Sequence, residues 1–270
     1  MDISFIILTW NSARYIDTCL QSVIDDTLDA SYSFEIFIVD NGSCDETRNI
    51  VQQYKNKYPE SIKPIYLEKN TGTTYSRNLA LKKASGRYIV IMDSDIRMQN
   101  GAMNELIKTL ESDSRLGLVV PALRYPSGNL QKSTDRFPTL PSKLMRYFFL
   151  KLMESRQNQS SGSADGIGLI EYAISAFWLL RREVVEQVGY LDEKIFYAPE
   201  DVDYCMRVWK KGYWIAINHD VNIIHDAQEI SRGFKINQAT IHHIRGLIYY
   251  FSKHKYLFRR PRFKALGSSH

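Results

Sequence analysis

Hydrophobic and polar residues follow one another along this chain in blocks that predict alternating strands and helices. Short apolar runs rich in β-branched residues predict buried strands, and apolar residues spaced three and four apart predict helices between them. In the first half, strands are predicted at residues 4–8, 34–39, 64–67, 87–92 and 118–120, and helices around 16–24, 50–54, 73–83 and 103–110. This alternation indicates an α/β fold with a mostly parallel central sheet flanked by helices.

The pattern in the second half is less regular. It predicts one long strand at 172–180, a helix at 198–211 and short strands at 214–217 and 221–224. The stretch 155–168 is rich in Ser and Gly, which predicts a mobile loop that could act as a lid. Polar residues also predict two helix starts, with Ser12 as one cap and Ser43 with Glu46 as a capping box.

Two carboxylates directly follow the predicted strand at 87–92. Asp93 and Asp95 are spaced i, i+2 at the edge where open α/β sheets bind ligands. Carboxylate oxygens suit Mg²⁺ or Mn²⁺ carrying a diphosphate, so the pair is a candidate metal site. An acidic turn after a strand is the alternative interpretation of an isolated pair of this kind.

Other predicted strand ends carry polar groups as well. Thr9 and Asn11 follow the first strand, Asp40 follows the second, and Asn70 follows the third. A carboxylate at the second strand end can accept hydrogen bonds from a nucleobase or a ribose hydroxyl, and Arg77 is placed to reach a base or phosphate. Taken singly, these residues are also typical of turns, and Arg77 of a surface salt bridge.

Composition narrows the class of protein. The chain has 270 residues, 44% hydrophobic and 24% charged, as in globular domains. No apolar run approaches the roughly 18 residues of a membrane span, and the first residues lack the basic segment of a signal peptide. Three scattered cysteines without C-x-x-C spacing indicate a reducing compartment and no zinc site, so we expect a cytoplasmic protein.

The net charge of +5 is concentrated near the C-terminus. Residues 251–264 hold six basic side chains and no acid, and apolar residues at helical spacing precede them from Ile241 to Phe251. This end, over 241–264, predicts peripheral contact with an anionic membrane at its inner face, although a helix packed on the domain before a solvated tail explains the pattern equally well. The remainder has no basic stripe, so nucleic acid is not expected as a partner.

In their order along the chain, these motifs resemble the family 2 glycosyltransferases, from about residue 3 to 226. The matching segments are residues 6–12, 39–43, 70–72 with 76–78, 86–95, 177–182, 188–192 and 200–203. Residues 137–139 and the ending near Lys253 and His254 are similar to the rhamnosyltransferase-like branch. The resemblance implies a GT-A fold with a smaller antiparallel sheet on the acceptor side. It also implies a catalytic domain at 1–226, with a nucleotide-binding half at 1–112 and an acceptor half at 113–226, followed by a C-terminal extension at 227–270.

The resemblance also assigns roles to individual residues. Asp95 would coordinate the metal, with His225 completing the site, and Asp201 would be the general base, with Asp203 as the next candidate. For Glu200 and Asp201 the alternative is an acidic helix start after Pro199. The nucleotide-diphospho-sugar would be held by Thr9, Asn11, Asp40, Asn70, Arg77 and Asp93.

The function implied is that of an inverting glycosyltransferase using a dTDP-, UDP- or GDP-sugar with Mg²⁺ or Mn²⁺. No Gln-x-x-Arg-Trp motif follows Asp201, which favours a single transfer per acceptor over processive synthesis. The expected acceptor is a hydroxyl of a glycan or a lipid-linked glycan in cell-surface polysaccharide synthesis. Two alternatives stay open: a sugar-1-phosphate nucleotidyltransferase, although no glycine-rich phosphate loop follows the first strand, and a non-catalytic nucleotide-sugar-binding protein.

Overall fold

A nine-stranded mixed sheet forms the centre of the molecule in the computed structural model, which describes residues 1–142, 165–227 and 238–266. The strand order is β3-β2-β1-β4-β10-β6-β11-β5, and β8 also pairs with β11. The nine strands are β1 (Ile3–Thr9), β2 (Phe34–Asp40), β3 (Ile62–Tyr66), β4 (Tyr88–Asp93), β5 (Ile96–Arg97), β6 (Leu116–Arg124), β8 (Ile167–Leu169), β10 (Phe177–Arg181) and β11 (Trp214–His225).

Most neighbouring long strands in this sheet are parallel. β1 pairs in parallel with β2 and β4, β2 with β3, and β6 with β11, whereas β10 is antiparallel to both β4 and β6. A second, two-stranded antiparallel sheet joins β7 (Thr134–Asp135) to β9 (Tyr172–Ala173). The predicted α/β class, with a mostly parallel sheet and a smaller antiparallel one, is therefore confirmed.

Helices cover both faces of the sheet. Alternate residues of β1 point to opposite faces, so Phe5 and Ile7 belong to one buried cluster and Ile6 to the other. The first cluster includes apolar residues of α1 (Ile16–Asp29), α2 (Thr47–Lys57) and α4 (Ala102–Glu111). The second includes residues of α3 (Thr73–Leu81), α5 (Arg182–Val188), α6 (Glu200–Lys210) and α7 (Gln238–His254).

The prediction of one continuous strand at 172–180 is wrong. The chain leaves the small sheet after Ala173 and joins the main sheet at Phe177. Between the two strands, the Ala176 carbonyl accepts a hydrogen bond from the Asp93 amide, and Ser175 contacts Arg77. The apolar run could not reveal this break because the contacts that produce it come from residues distant in sequence.

Both predicted helix caps are also wrong. α1 begins at Ile16 rather than directly after Ser12, and the Ser12 hydroxyl lies 2.8 Å from that of Ser94. The Ser43 hydroxyl accepts a hydrogen bond from the Asn11 amide, and Glu46 itself occupies the N-cap position of α2 without a side-chain cap. In each case the serine hydroxyl that the local spacing predicted to cap a helix is hydrogen-bonded to a residue of another loop instead.

The C-terminal helix α7 packs on the second face of the sheet, where Tyr250 and Phe251 are buried. The two short strands predicted at 214–217 and 221–224 are one strand, β11, with a register shift between Asn218 and Asn222. Of the helices described, none combines the length and apolar character that crossing a bilayer requires. Most of the predicted lid loop, residues 155–164, lies outside the described ranges, as do residues 228–237 and 267–270 of the predicted extension.

Candidate active site

Three potential metal ligands converge at the carboxyl end of β4. One ligand atom from each of Asp93, Asp95 and His225 lies within 4.8 Å of the others. Asp93 ends β4, and His225 ends β11, where it pairs with Ile96 of β5 directly after Asp95. Two carboxylates and one imidazole form a donor set suited to a divalent cation such as Mn²⁺.

The histidine is oriented for this task by its second ring nitrogen. His225 Nδ1 lies 2.8 Å from Gln131 Oε1, which can only accept, so Nδ1 carries the proton. Nε2 then faces Asp95 Oδ1 at 3.3 Å. Among the described residues that Oδ1 is buried without a hydrogen-bond partner, which is costly unless another group satisfies it. A metal ion coordinated by Asp95 and His225 would do so.

The electrostatic surroundings of Asp93 also favour a bound cation. The Asp93 side chain is 37% exposed, yet desolvation by the surrounding protein raises its pKa; Arg77 opposes this increase, and the charge of Asp95 adds to it. The two carboxylates therefore repel each other, and a divalent cation between them would relieve the repulsion. A cavity of about 210 Å³ opens beside Asp95, and the side chains of Arg14 and Arg97 line it.

A buried arginine connects this site to a second pair of carboxylates. The Arg77 side chain is 1% exposed, and its Nη2 lies 2.5 Å from Asp93 Oδ1. Its Nη1 lies 2.8 Å from the Ser175 hydroxyl and 3.8 Å from Glu200 Oε1. One guanidinium thus lies between the end of β4 and the start of α6. Both terminal nitrogens contact protein groups, so Arg77 forms a buried ion pair and not a salt bridge at the surface.

Glu200 and Asp201 occupy the first turn of α6 with different surroundings. Burial raises the pKa of Glu200 to about 8, the charge of Asp201 adds to the increase, and Arg77 opposes it. Burial therefore favours the protonated form of Glu200, and its Oε1 accepts a hydrogen bond from the Ser175 hydroxyl. Asp201 is half-buried beside it, and its Oδ1 accepts a hydrogen bond from the Val202 amide. Of the two, Asp201 is the better placed to act as a base.

Asp203, the second candidate base, is unsuited to that role. Its side chain is 1% exposed, and Arg207, Lys253 and His254 all contact its carboxylate. Although burial acts to raise it, the pKa of Asp203 falls to about 2 because His254, Arg207 and Lys253 stabilise the charged form. A carboxylate held by three basic groups is a weak proton acceptor.

On the opposite side of the metal site, β1 and β2 end in a pair of buried polar residues. Thr9 and Asp40 are register partners, 1% and 0% exposed. Asp40 Oδ1 accepts hydrogen bonds from Arg48 Nε and the Ser43 amide, but within the described ranges Asp40 Oδ2 and Thr9 Oγ1 have no partner. Buried polar atoms without partners indicate a ligand that supplies them, as a nucleobase or ribose would.

Asn11 and Asn70 organise the loops around that pair. Asn11 adopts a left-handed backbone conformation, and its Oδ1 accepts a hydrogen bond from the Cys44 amide. Asn70 Oδ1 accepts from Asn41 Nδ2 and from the Gly72 amide. Asn11 and Asn70 thus lie in loops at the carboxyl edge of the sheet, and their side-chain amide oxygens already accept hydrogen bonds from neighbouring loops.

Several residues of the site were not identified from the sequence. Arg48 and Gln131 hold Asp40 and His225, and Ser175 links Arg77 to Glu200. Tyr197 is 47% exposed, and its pKa is raised by desolvation and by the charges of Glu200, Asp93 and Asp201. None of these residues belongs to a local motif; only the proximity of Tyr197 to Glu200 in the sequence was a usable signal.

Comparison with known proteins gives one family. The family model described as glycosyl transferase family 2 matches residues 4–189. The putative teichuronic acid biosynthesis glycosyltransferase TuaG of Bacillus subtilis is 39% identical over 109 residues, 40% of each chain. Glycosyltransferase AglE of Haloferax volcanii is 24% identical over 88% of this chain and 73% of its own.

The fold has solved counterparts. Mannosyltransferase PcManGT from Pyrobaculum calidifontis, in complex with GDP-Man and Mn²⁺, superposes with a TM-score of 0.61 at 20% identity, covering 96% of this chain and 65% of its own. The architecture is therefore the GT-A fold. The match spans only two fifths of TuaG and about two thirds of PcManGT. From the family model and the shared fold together, we conclude that this chain belongs to glycosyl transferase family 2.

Proposed function

We propose that this protein transfers one sugar, with inversion, from a nucleotide-diphospho-sugar to a hydroxyl group of an acceptor. One observation carries the proposal: Arg77 lies between Asp93 and Glu200, which brings the candidate metal ligands and the candidate base to one edge of the sheet. A transferase needs both groups around the anomeric carbon, one at the leaving diphosphate and one at the attacking hydroxyl.

The donor lies across the first half of the sheet. Asp40 Oδ2 and Thr9 Oγ1 bind the nucleoside, with Asn11 and Asn70 shaping the loops that surround it. Asp93, held by Arg77, would contact the ribose or the metal, and Asp95 with His225 would hold the metal. The bound ion supplies positive charge that offsets the charge of the departing diphosphate.

Asp201 performs the proton transfer. It accepts the proton of the acceptor hydroxyl as that oxygen bonds to the anomeric carbon, while the bond from this carbon to the diphosphate oxygen breaks and the nucleoside diphosphate leaves. Because attack and departure occur on opposite faces of the sugar, the configuration inverts. Glu200, whose raised pKa favours its protonated form, leaves Asp201 as the base of the pair.

The acceptor we propose is a glycan or lipid-linked glycan of a cell-surface polysaccharide, extended by one sugar at a time. The relatives support this class: TuaG is named a putative teichuronic acid biosynthesis glycosyltransferase, and TarS of Staphylococcus aureus, 38% identical over 96 residues, is named a poly(ribitol-phosphate) β-N-acetylglucosaminyltransferase. We also propose a cytoplasmic location at the inner face of the membrane, because Ile248 and Phe258 are 66% and 69% exposed near the basic C-terminal residues.

The central test is Asp201→Asn. Base catalysis is typically worth about 10²–10⁴-fold, so we expect donor hydrolysis or transfer to fall by that factor. Binding of a UDP-, GDP- or dTDP-sugar with Mn²⁺, followed by thermal shift, should be unchanged, because the proposal assigns Asp201 to the acceptor hydroxyl and not to the donor. Glu186→Asn, a change on the exposed end of α5, is the control. Weakened donor binding in Asp201→Asn would contradict the assignment.

The same assay separates the alternatives. A nucleotidyltransferase would release pyrophosphate from a nucleoside triphosphate, whereas a glycosyltransferase releases nucleoside diphosphate from the nucleotide sugar. A non-catalytic binding protein would show the thermal shift with Mn²⁺ and the nucleotide sugar but no release of nucleoside diphosphate.

A further inference from the structure

The C-terminal helix α7 touches the start of the segment that carries the proposed base. We call residues 192–203 the base segment, since it leads from the end of α5 into the first turn of α6 and contains Asp201. At its start, Asp192 Oδ2 accepts hydrogen bonds from the Tyr249 hydroxyl at 2.9 Å and from Lys253 Nζ at 2.6 Å. Both donors belong to α7.

The same helix holds the other end of the base segment. Lys253 Nζ lies 2.7 Å from Asp203 Oδ1, and His254 Nε2 lies 2.8 Å from the same oxygen. Asp203 and His254 are 1% and 8% exposed, so the contact between them is shielded from water, whereas the Lys253 side chain is 25% exposed. A single lysine therefore bridges the two ends of the base segment, and its second partner lies two residues beyond Asp201 in the first turn of α6.

The middle of the base segment lies between α7 and α3. A Cβ atom built on Gly246 of α7 would lie 2.2 Å from the Ala198 carbonyl oxygen, so the helix backbone approaches this loop too closely for any side chain. Opposite, the Thr73 amide and the Thr74 hydroxyl each donate a 2.7 Å hydrogen bond, to the Phe196 and Ile195 carbonyls. α3 also carries Arg77, so the base segment is fixed relative to the donor side as well.

We propose that α7 is a positioning element of the active site, in which Lys253 and His254 act through Asp192 and Asp203 to hold Asp201 at the acceptor. This inference rests on the proposed function. A general base must lie within about 2.6–3.2 Å of the proton it removes, and a displacement of about 1 Å can cost roughly 10²-fold in rate. The C-terminal helix is thus required for the chemical step, beyond any contact it makes with a membrane.

The decisive variant is Lys253→Met, which removes both bridges while keeping the aliphatic stem. We expect kcat for hydrolysis of the nucleotide sugar that wild type turns over fastest, among UDP-glucose, UDP-GlcNAc, GDP-Man and dTDP-rhamnose with Mn²⁺, to fall by about tenfold or more. The KM for that donor should be unchanged. Lys253→Arg should restore most of the rate, and Lys255→Met, at an exposed position two residues on, is the charge-matched control.

A second variant displaces the base segment without removing any of its ion pairs. Gly246→Ala keeps a helix-forming residue in α7, but its methyl group must displace the backbone of Ala198. Because this clash is with backbone, we expect the Tm to fall, and at temperatures well below that Tm we expect kcat to fall as in Lys253→Met with the KM for the donor unchanged. If both variants keep the wild-type kcat, or if both lose donor binding along with turnover, the proposal is wrong.

Hydrogen exchange tests the inference without reference to activity. The amides of Ile195 and Asp203 are bonded to Asp192 and Pro199 carbonyls within the base segment. Lys253→Met should increase their exchange rates several-fold, and leave the amides of β1 unchanged. If exchange is faster but the protein releases no nucleoside diphosphate, the proposed function is wrong and α7 still holds the base segment. If exchange is unchanged, α7 does not hold the base segment and the present proposal is wrong.

Discussion

At the scale of single residues, the site is marked by polar atoms that the protein buries and leaves unsatisfied. In the described part of the chain these are Thr9 Oγ1, Asp40 Oδ2, Arg77 Nε and Asp95 Oδ1. Each such atom costs about 1–3 kcal/mol when nothing bonds to it. Thr9 and Asp40 end β1 and β2, Asp95 follows β4, and Arg77 of α3 contacts Asp93 at the end of β4. The unfavourable free energy of the unsatisfied atoms is therefore concentrated where a bound donor and its metal would supply hydrogen-bond partners and charge.

Glu200 gives a prediction about stability and pH. Its pKa is about 8 in the folded chain, against an ordinary 4.5, so between these values the folded state binds more protons than the unfolded state. The free energy of unfolding therefore falls as pH rises from about 4.5 to about 8. Glu200→Gln removes this contribution, and we expect the variant to lose less stability than wild type between pH 5.5 and 8.5.

Urea unfolding at the two pH values, in metal-free buffer, measures the difference. Glu186→Gln serves as the control, because its carboxylate lies at the exposed end of α5 beside Arg182. Equal losses of stability in wild type and Glu200→Gln would show that Glu200 is charged in the folded protein at neutral pH, and would remove the reason for preferring Asp201.

At the scale of elements, the metal site depends on the length of one strand. β11 continues past a register shift between Asn218 and Asn222, and its last residue, His225, pairs with Ile96 of β5. β5 follows β4 by only two residues, so this pairing brings a histidine from the second half of the chain to the carboxylates of the first. β5 and the continuation of β11 thus build the site together.

This arrangement predicts the metal affinity of two variants. His225→Ala removes one ligand, and Gln131→Leu removes the acceptor that orients it; we expect Mn²⁺ binding to weaken by about 10–100-fold in each. Calorimetric titration with Mn²⁺ measures the change. His219→Ala, a histidine of the same strand outside the ligand cluster, is the matched control. If His225→Ala and His219→Ala bind Mn²⁺ equally well, His225 is not a ligand.

At the scale of the whole molecule, α7 presents two different sides. One side holds the base segment through Tyr249, Lys253 and His254, whereas Ile244 and Ile248, one turn apart, are 52% and 66% exposed. Beyond the helix, Arg260 donates to the Phe137 carbonyl, but Arg259 and Arg262 are exposed. Part of the basic C-terminal end is therefore packed against the domain. The remainder, with Phe258, Arg259 and Arg262, forms an exposed surface that is both cationic and apolar, which we call the free surface.

We predict that this free surface binds anionic membranes. Each exposed basic residue near such a membrane contributes about 1 kcal/mol, so the triple variant F258S/R259S/R262S should bind phosphatidylglycerol vesicles about tenfold or more weakly than wild type. Vesicle co-sedimentation measures this without disturbing Lys253 or His254, which truncation would do. The variant K57S/K83S makes the same change of charge at exposed positions elsewhere. Equal weakening in both variants would leave no specific role for the C-terminal end.

The sequence alone determined the alternation of the long strands and helices in the first half of the chain and the positions of Asp40, Asp93, Asp95 and Asp201 at element ends. These are local properties, because a buried strand must be apolar and the first polar residue after it marks the sheet edge. The family resemblance added His225, which spacing alone could not distinguish from a structural histidine. The GT-A fold expected from it is confirmed.

Only the tertiary structure decided how these residues interact. The break before Phe177, the burial of Arg77 between Asp93 and Glu200, the raised pKa of Glu200 and the contacts of α7 with Asp192 and Asp203 all depend on partners far away in sequence. Burial and charge act through space, so a local pattern can name a carboxylate but cannot show which neighbours set its protonation or hold it in place.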